Sequence, residues 1–162
     1  MKNRTFLFTA LGLVAASILF WGWMFTGAGD SDPAADTVSS GEITMYRGEG
    51  CDCCLRWANY LQDEGFVVHD ALVNDLRNVK QEREVPDRMA SCHTAVIDGY
   101  VVEGHVPARE IRRLIDEKPE AIGIAVPGMP VGSPGMEGFF TETYEVILFD
   151  SEGNRQVYAR YD

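Results

Sequence analysis

Apolar and polar positions divide this chain into a long apolar stretch, a polar tether and a region where strand and helix patterns alternate. Residues 6–25 are apolar apart from Thr9, Ser17 and scattered glycine. About twenty residues at about 1.5 Å of rise each span about 30 Å, the thickness of a bilayer core. Trp21 and Trp23 stand near the far end, where aromatic side chains anchor a span at the interface. The pattern predicts a membrane segment over 1–26, read as a retained anchor in preference to a cleaved signal. The small residues Gly27, Ala28 and Gly29 keep cleavage open. Residues 27–41, GAGDSDPAADTVSSG, hold almost nothing apolar to offset the entropy of ordering. They are expected to form a flexible acidic tether. Residues 42–162 are long enough for one domain with a modest core.

Within that domain, residues 43–46 alternate and use strand-forming side chains. They lead into the polar loop Arg47-Gly48-Glu49-Gly50. From Cys54 the apolar positions Leu55, Ala58 and Leu61 recur at helical spacing, and Gly65 supplies a C-terminal stop. Residues 66–73 read as a second strand, and 75–83 as a short polar helix stopped by Val85-Pro86. Residues 94–97 and 100–105 form a hairpin about Asp98-Gly99. Pro107 opens a helix over 108–115, closed by Lys118-Pro119. Residues 121–137 read as a Pro/Gly-rich loop in which Pro-Gly-Met occurs at 127–129 and again at 134–136. Residues 144–149 and 156–161 make a terminal hairpin. The order β-α-β-α-β-β-α predicts a thioredoxin-like α/β fold, a mixed sheet with flanking helices, extended by a C-terminal Pro/Gly/Met loop and β-hairpin.

Charge narrows the partners. The chain has 14 Lys and Arg against 25 Asp and Glu, a net of −11. Such a surface argues against nucleic acid and anionic lipid and suits cations or a basic protein. Lys2 and Arg4 precede the apolar stretch, and nothing basic lies between it and Tyr46. The positive-inside rule then places the domain outside the cytoplasm. The expected address is the periplasmic side of a bacterial inner membrane, or the soluble periplasm if the segment is cleaved. That space is oxidising, so cysteines there are bridged, metal-bound or redox-active.

Three of the four cysteines lie in Cys51-Asp52-Cys53-Cys54, and the fourth, Cys92, directly precedes His93. Thiols at a helix N-terminus meet free N–H groups and a favourable dipole, which promote the thiolate. Three sulfurs in four residues converge on a small volume, and thiolate donors favour Cu(I) first and Zn(II) second. Cys92, before the third strand, is placed to approach them, with His93 beside it. Cys51 and Cys54 also form a C-x-x-C pair, so a thiol-disulfide oxidoreductase is the alternative, with Cys51 attacking and Cys54 resolving. The third thiol and Cys92-His93 favour metal, because a two-thiol enzyme needs neither. His105 divides evenly between ligand and fold residue, and His69 reads as a surface residue. Met129 and Met136 are either weak thioether ligands or gap fillers. Glu103 and Glu137 offer local charge. No phosphate loop, H-E-x-x-H helix or nucleophile elbow is present.

These residues carry a resemblance. Gly50-Cys51-Asp52-Cys53-Cys54-Leu55-Arg56-Trp57, Val85-Pro86, Ser91-Cys92-His93-Thr94-Ala95-Val96, Asp98-Gly99-Tyr100, Val102-Glu103-Gly104-His105-Val106-Pro107 and the double Pro-Gly-Met stretch from Ala125 to Glu137 are similar to the domain-of-unknown-function 411 family. Its better-understood members are CopG-type periplasmic copper-resistance proteins. The likeness extends over nearly all of 43–161. It implies a thioredoxin-like fold with cysteine-bound copper, found alongside copper export and detoxification systems. The implied partners are copper ions, periplasmic copper carriers or an export system. By position it implies Cys51, Cys53, Cys54 and Cys92 in the metal site, and His93, His105, Met129 and Met136 match its motif positions. The chain departs from the pattern in the acidic Glu49 before Gly50, and in an apolar N-terminus more like an anchor than an export signal.

Overall fold

The protein is described here by a computed structural model covering residues 41–162. The expected membrane segment, and the expected tether apart from Gly41, lie outside the described residues. The domain is mixed α/β, a seven-stranded sheet in the order β2-β1-β3-β4-β5-β6-β7. Its elements are β1 Glu42–Arg47, α1 Asp52–Asp63, β2 Val67–Leu72, α2 Leu76–Glu82, β3 His93–Ile97, β4 Tyr100–Glu103, α3 Ala108–Glu117, β5 Gly123–Ala125, β6 Tyr144–Phe149 and β7 Arg155–Tyr161. A single 3₁₀ turn, Asp87–Met89, precedes β3. No helix among the described residues is long and apolar enough to cross a membrane.

Strands β1/β2 and β4/β5 pair in parallel and the others antiparallel. Each parallel pair is joined through a helix, α1 or α3, as a parallel connection requires. The β3–β4 hairpin turns on Asp98 and Gly99, both at positive φ, which matches the twist of the flanking strands.

Side-chain alternation divides the buried residues between the two faces of the sheet. On one face Ile43, Met45, Ala95, Ile97, Val102 and Ile124 pack with Trp57 and Leu61 of α1 and Ile111 and Leu114 of α3. A smaller cluster of Val85, Met89, Val101, Ala125 and Phe149 forms separately. Val101 and Val102 are neighbours on β4 yet join different clusters, as a period of two demands.

Several element ends shift by one or two residues, the first helix opening at Asp52 rather than Cys54, and two differences shape the site. Strand β5 lies within what reads as an irregular loop, because three residues are too few to show alternation. It is buried throughout and pairs in parallel with β4. At Gly123 an added β-carbon would collide with the Val101 backbone, so this close approach needs glycine. The fourth strand ends at Glu103 rather than His105. Gly104 there takes φ +75°, and a β-carbon would come within 2.6 Å of the Val126 carbonyl oxygen and 2.8 Å of Ser91. The chain turns at Gly104, and that turn redirects His105.

Candidate metal centre

Strand β1 ends in Arg47, which is buried and held by two bonds to Asp70 of β2, Nε–Oδ1 2.8 Å and Nη2–Oδ2 2.6 Å. The chain then crosses a short loop into α1, with Cys51 at the N-cap and Cys53 and Cys54 in the first turn. Cys51 and Cys54 are joined by a disulfide, while Cys53 and Cys92 are free thiols. Cys51 Sγ lies 3.5 Å from Cys53 Sγ, and Cys53 Sγ lies 3.9 Å from Cys92 Sγ. Cys54 Sγ stands 3.7 Å from the Cys92 carbonyl. All four sulfurs fall within 4.8 Å of one another. Cys92 therefore closes the cluster, as its place before β3 suggested.

Cys92 also belongs to a second convergent group, with His93 and His105, whose donor atoms again lie within 4.8 Å. Its sulfur is 3.2 Å from His105 Nε2 and 3.4 Å from His93 Nδ1. His105 Nδ1 is 2.7 Å from the Pro134 carbonyl. A carbonyl only accepts, so Nδ1 carries the proton and Nε2 presents a lone pair toward Cys92. This is how a metal-binding imidazole is oriented by its other nitrogen. His93 is fully buried, its ring 4.3 Å from that of Trp57. Among the described residues its Nε2 is the buried side-chain polar atom that lacks a hydrogen bond.

Burial sets the protonation of these groups. Loss of hydration, with added repulsion from His105 and Lys80, lowers the His93 pKa well below 6.5. The Gly104 carbonyl opposes this without bonding Nε2. His105 is likewise lowered, chiefly by burial, against the stabilising Pro134 carbonyl. Both rings are neutral near pH 7, the form that binds a metal. Burial, then the neighbouring Cys53, pushes the Cys92 thiol up to about 12. A bound cation reverses that preference by replacing the proton.

Behind Cys92-His93 lies a buried polar network. Glu103 is fully buried and paired with Lys80 of α2. It also accepts from Ser91 N–H at 2.6 Å and Thr94 Oγ1 at 2.8 Å. Lys80 Nζ donates to Thr94 Oγ1 at 3.0 Å and the His93 carbonyl at 3.4 Å. Burial raises the Glu103 pKa and Lys80 opposes it. Glu103, expected to offer local charge, braces residues 91–94 through these contacts. Lys80 gave no sequence signal, being one cation in a polar helix.

The double Pro-Gly-Met stretch is a strap pinned beside the cluster by its backbone. The Gly128 carbonyl accepts from Ser91 Oγ at 2.7 Å, Pro134 engages His105, and the Gly135 carbonyl accepts from Arg56 Nε at 2.9 Å. Glu137 accepts from Gly135 N–H at 2.7 Å. Of the two expected thioethers, Met129 is 51% exposed and Met136 is half-buried. His69 lies exposed on β2 beside Glu42, as its surface reading required. Trp57, part of the motif that carries the resemblance, packs on the His93 ring, whereas the Pro134 carbonyl left no sequence signal, since a backbone acceptor carries no pattern.

The donor set of soft sulfur and neutral imidazole fits Cu(I) or Zn(II) and offers no oxygen-rich cage for a hard cation. The family model described as "Protein of unknown function, DUF411" matches residues 89–136. Two solved structures are similar, titled "Copper resistance protein copG", Form 2 and Form 1, each 46% identical with a TM-score of 0.71. The matches cover 75% of this chain and 98% of the first, and 74% of this chain and 96% of the second. No curated protein sequence matches.

Proposed function

Because the chain belongs to the DUF411 family of CopG-type copper-resistance proteins, we propose that it is a periplasmic copper-binding protein that captures Cu(I) in copper resistance. The observation that carries this reading is the convergence of four cysteine sulfurs, with two neutral imidazoles sharing Cys92. In this reading copper is cargo, held by Cys51, Cys53, Cys54 and Cys92. His93 and His105 are flanking donors, and Met129 and Met136 are weaker thioethers on the strap. Copper carriers or an export system supply or remove it, and the apolar N-terminus holds the domain at the membrane. We read β1-α1-β2 with β3-β4-α3 as the thioredoxin-like part, and β6–β7 as its extension.

The Cys51–Cys54 disulfide favours a coupled redox change and keeps a second reading in play, a thiol-disulfide oxidoreductase. A dithiol donor that reduces this disulfide passes two electrons and two protons to Cys51 and Cys54 and becomes a disulfide itself. In the metal reading, that reduction restores the four-thiol set and Cu(I) then displaces the thiol protons.

The two readings separate in one preparation. The full chain, reduced and handled without oxygen, is titrated with Cu(I) against a competing chelator and assayed for disulfide reductase turnover. Copper capture predicts tight binding, weakened at least tenfold by Cys53→Ser, with little turnover. Robust turnover in Cys53→Ser that disappears in Cys51→Ser, together with weak copper binding, would overturn it.

A further inference from the structure

A cleft of about 720 Å³ runs between the terminal hairpin, the Asp87–Met89 turn and the start of the strap at Pro127 and Pro130. It has no cysteine in its lining, and three arginines line it: Arg88, Arg155 and Arg160. Its volume falls in the ordinary range for ligand sites. The chain as a whole has 25 acidic side chains against 14 basic ones, yet Glu145 is the one carboxylate in this lining. The local charge is therefore inverted. Ile147 and the half-exposed Val157 contribute apolar floor. Arg88 and Arg155 make no ion pair among the described residues. Arg160 reaches Glu145 at 3.3 Å and Asp162 at 3.1 Å, exposed pairs that exchange at little cost.

The spacing of these charges selects the ligand. Arg155 and Arg160 of β7 pair with Phe149 and Glu145 of β6 across a bulge that keeps both on one face, four strand steps apart, about 13 Å at strand rise. A single phosphate does not bridge that length, whereas an extended chain does. β7 is also the last strand of the sheet, the position at which extended segments dock on proteins. We propose that this cleft binds an extended acidic peptide, with its carboxylates on Arg88, Arg155 and Arg160 and its apolar residues over Ile147 and Val157. No residue of the cysteine and histidine groups lines this site.

The test uses the full chain and two peptides carrying fluorescein on the N-terminal amine, Glu-Val-Glu-Val-Glu-amide and its Lys-for-Glu counterpart, read by fluorescence anisotropy. The net charge of −11 repels the acidic peptide in general, so a specific site is needed to hold it. The acidic peptide is expected to bind and the basic one not, with affinity falling as salt rises. The double variant Arg88→Gln/Arg155→Gln should weaken binding about tenfold or more, Arg88→Lys/Arg155→Lys should restore most of it, and Cys53→Ser should leave it unchanged. Preference for the basic peptide, equal binding by the Gln double variant, or displacement by equimolar inorganic phosphate would overturn the proposal. The last outcome would mark a simple anion site.

Discussion

His93 is a fully buried side chain whose Nε2 makes no hydrogen bond, and leaving such a group unmet costs about 1–3 kcal/mol. Its ring nonetheless packs on Trp57 with centroids 4.3 Å apart, and Nδ1 meets the Cys92 sulfur at 3.4 Å, so only Nε2 is left unused. That combination separates a binding residue from a fold residue. His93→Phe keeps an aromatic ring beside Trp57 and removes the unmet nitrogen. The expected outcome is a metal-free protein of equal or higher melting temperature, with Cu(I) affinity reduced. A clear loss of stability in thermal unfolding, with affinity intact, would make His93 structural. The four cysteines were legible as a set because clustered thiols are scarce and chemically specific. The status of His105 was not, because a histidine after a strand has the same pattern whether or not Pro134 fixes its tautomer.

The strap shows what an element adds to those residues. Its two Pro-Gly-Met copies are identical in sequence and differ in role. Gly128 and Gly135 both take positive φ, +74° and +80°, but a β-carbon at Gly128 would meet nothing within 4 Å. At Gly135 it would lie 2.7 Å from the Trp57 nitrogen and 3.0 Å from the Cys53 carbonyl oxygen, both in α1. Gly128→Ala should therefore cost only the left-handed backbone penalty, about 1–2 kcal/mol. Gly135→Ala should cost more and also lower metal affinity, by displacing the strap from the cysteine turn and from His105. Urea unfolding of the pair checks this, and equal costs would show that the second contact is soft. Element order was readable from period and punctuation at almost every helix and strand. The failure at β5 has a physical source, since three residues buried by their neighbours need no pattern of their own.

At the scale of the molecule, β1 runs from beside Gly41 toward the cysteines over six residues, about 20 Å. Gly41 and the candidate metal centre thus lie at opposite ends of that strand. The buried site also gives the whole domain a pH profile. His93 and His105 have folded pKa values below 6.5, so below that pH the unfolded chain takes up protons the folded one refuses, and stability falls. Glu103 works the other way: burial raises it above 4.5, so its protonation blunts the acid limb. Cys92, pushed from 9.0 up to about 12, keeps its proton when folded and loses it when unfolded, so stability also falls as pH climbs above about 9. The metal-free, disulfide-bonded protein should be most stable between about pH 6.5 and 9. Urea midpoints at pH 5, 7.5 and 10 test this, and Cys92→Ser should shrink the alkaline limb without abolishing it, because burial also raises the phenols of Tyr144, Tyr158 and Tyr161. Equal midpoints at pH 5 and 7.5 would contradict the acid limb.

The sequence by itself determined the alternation of strands and helices, the acidic surface, and the thiol cluster at a strand-to-helix turn. These follow from local periodicity, turn chemistry and composition, which act within a few residues. Only the tertiary structure decided that Cys92 joins both donor groups, that His105 faces inward, and that Lys80 and Glu103 brace the segment between them. It also decided which copy of Pro-Gly-Met touches the cluster and where the arginines gather. Those outcomes depend on contacts between residues far apart in the chain, set by packing, burial and backbone carbonyls that no side-chain pattern records.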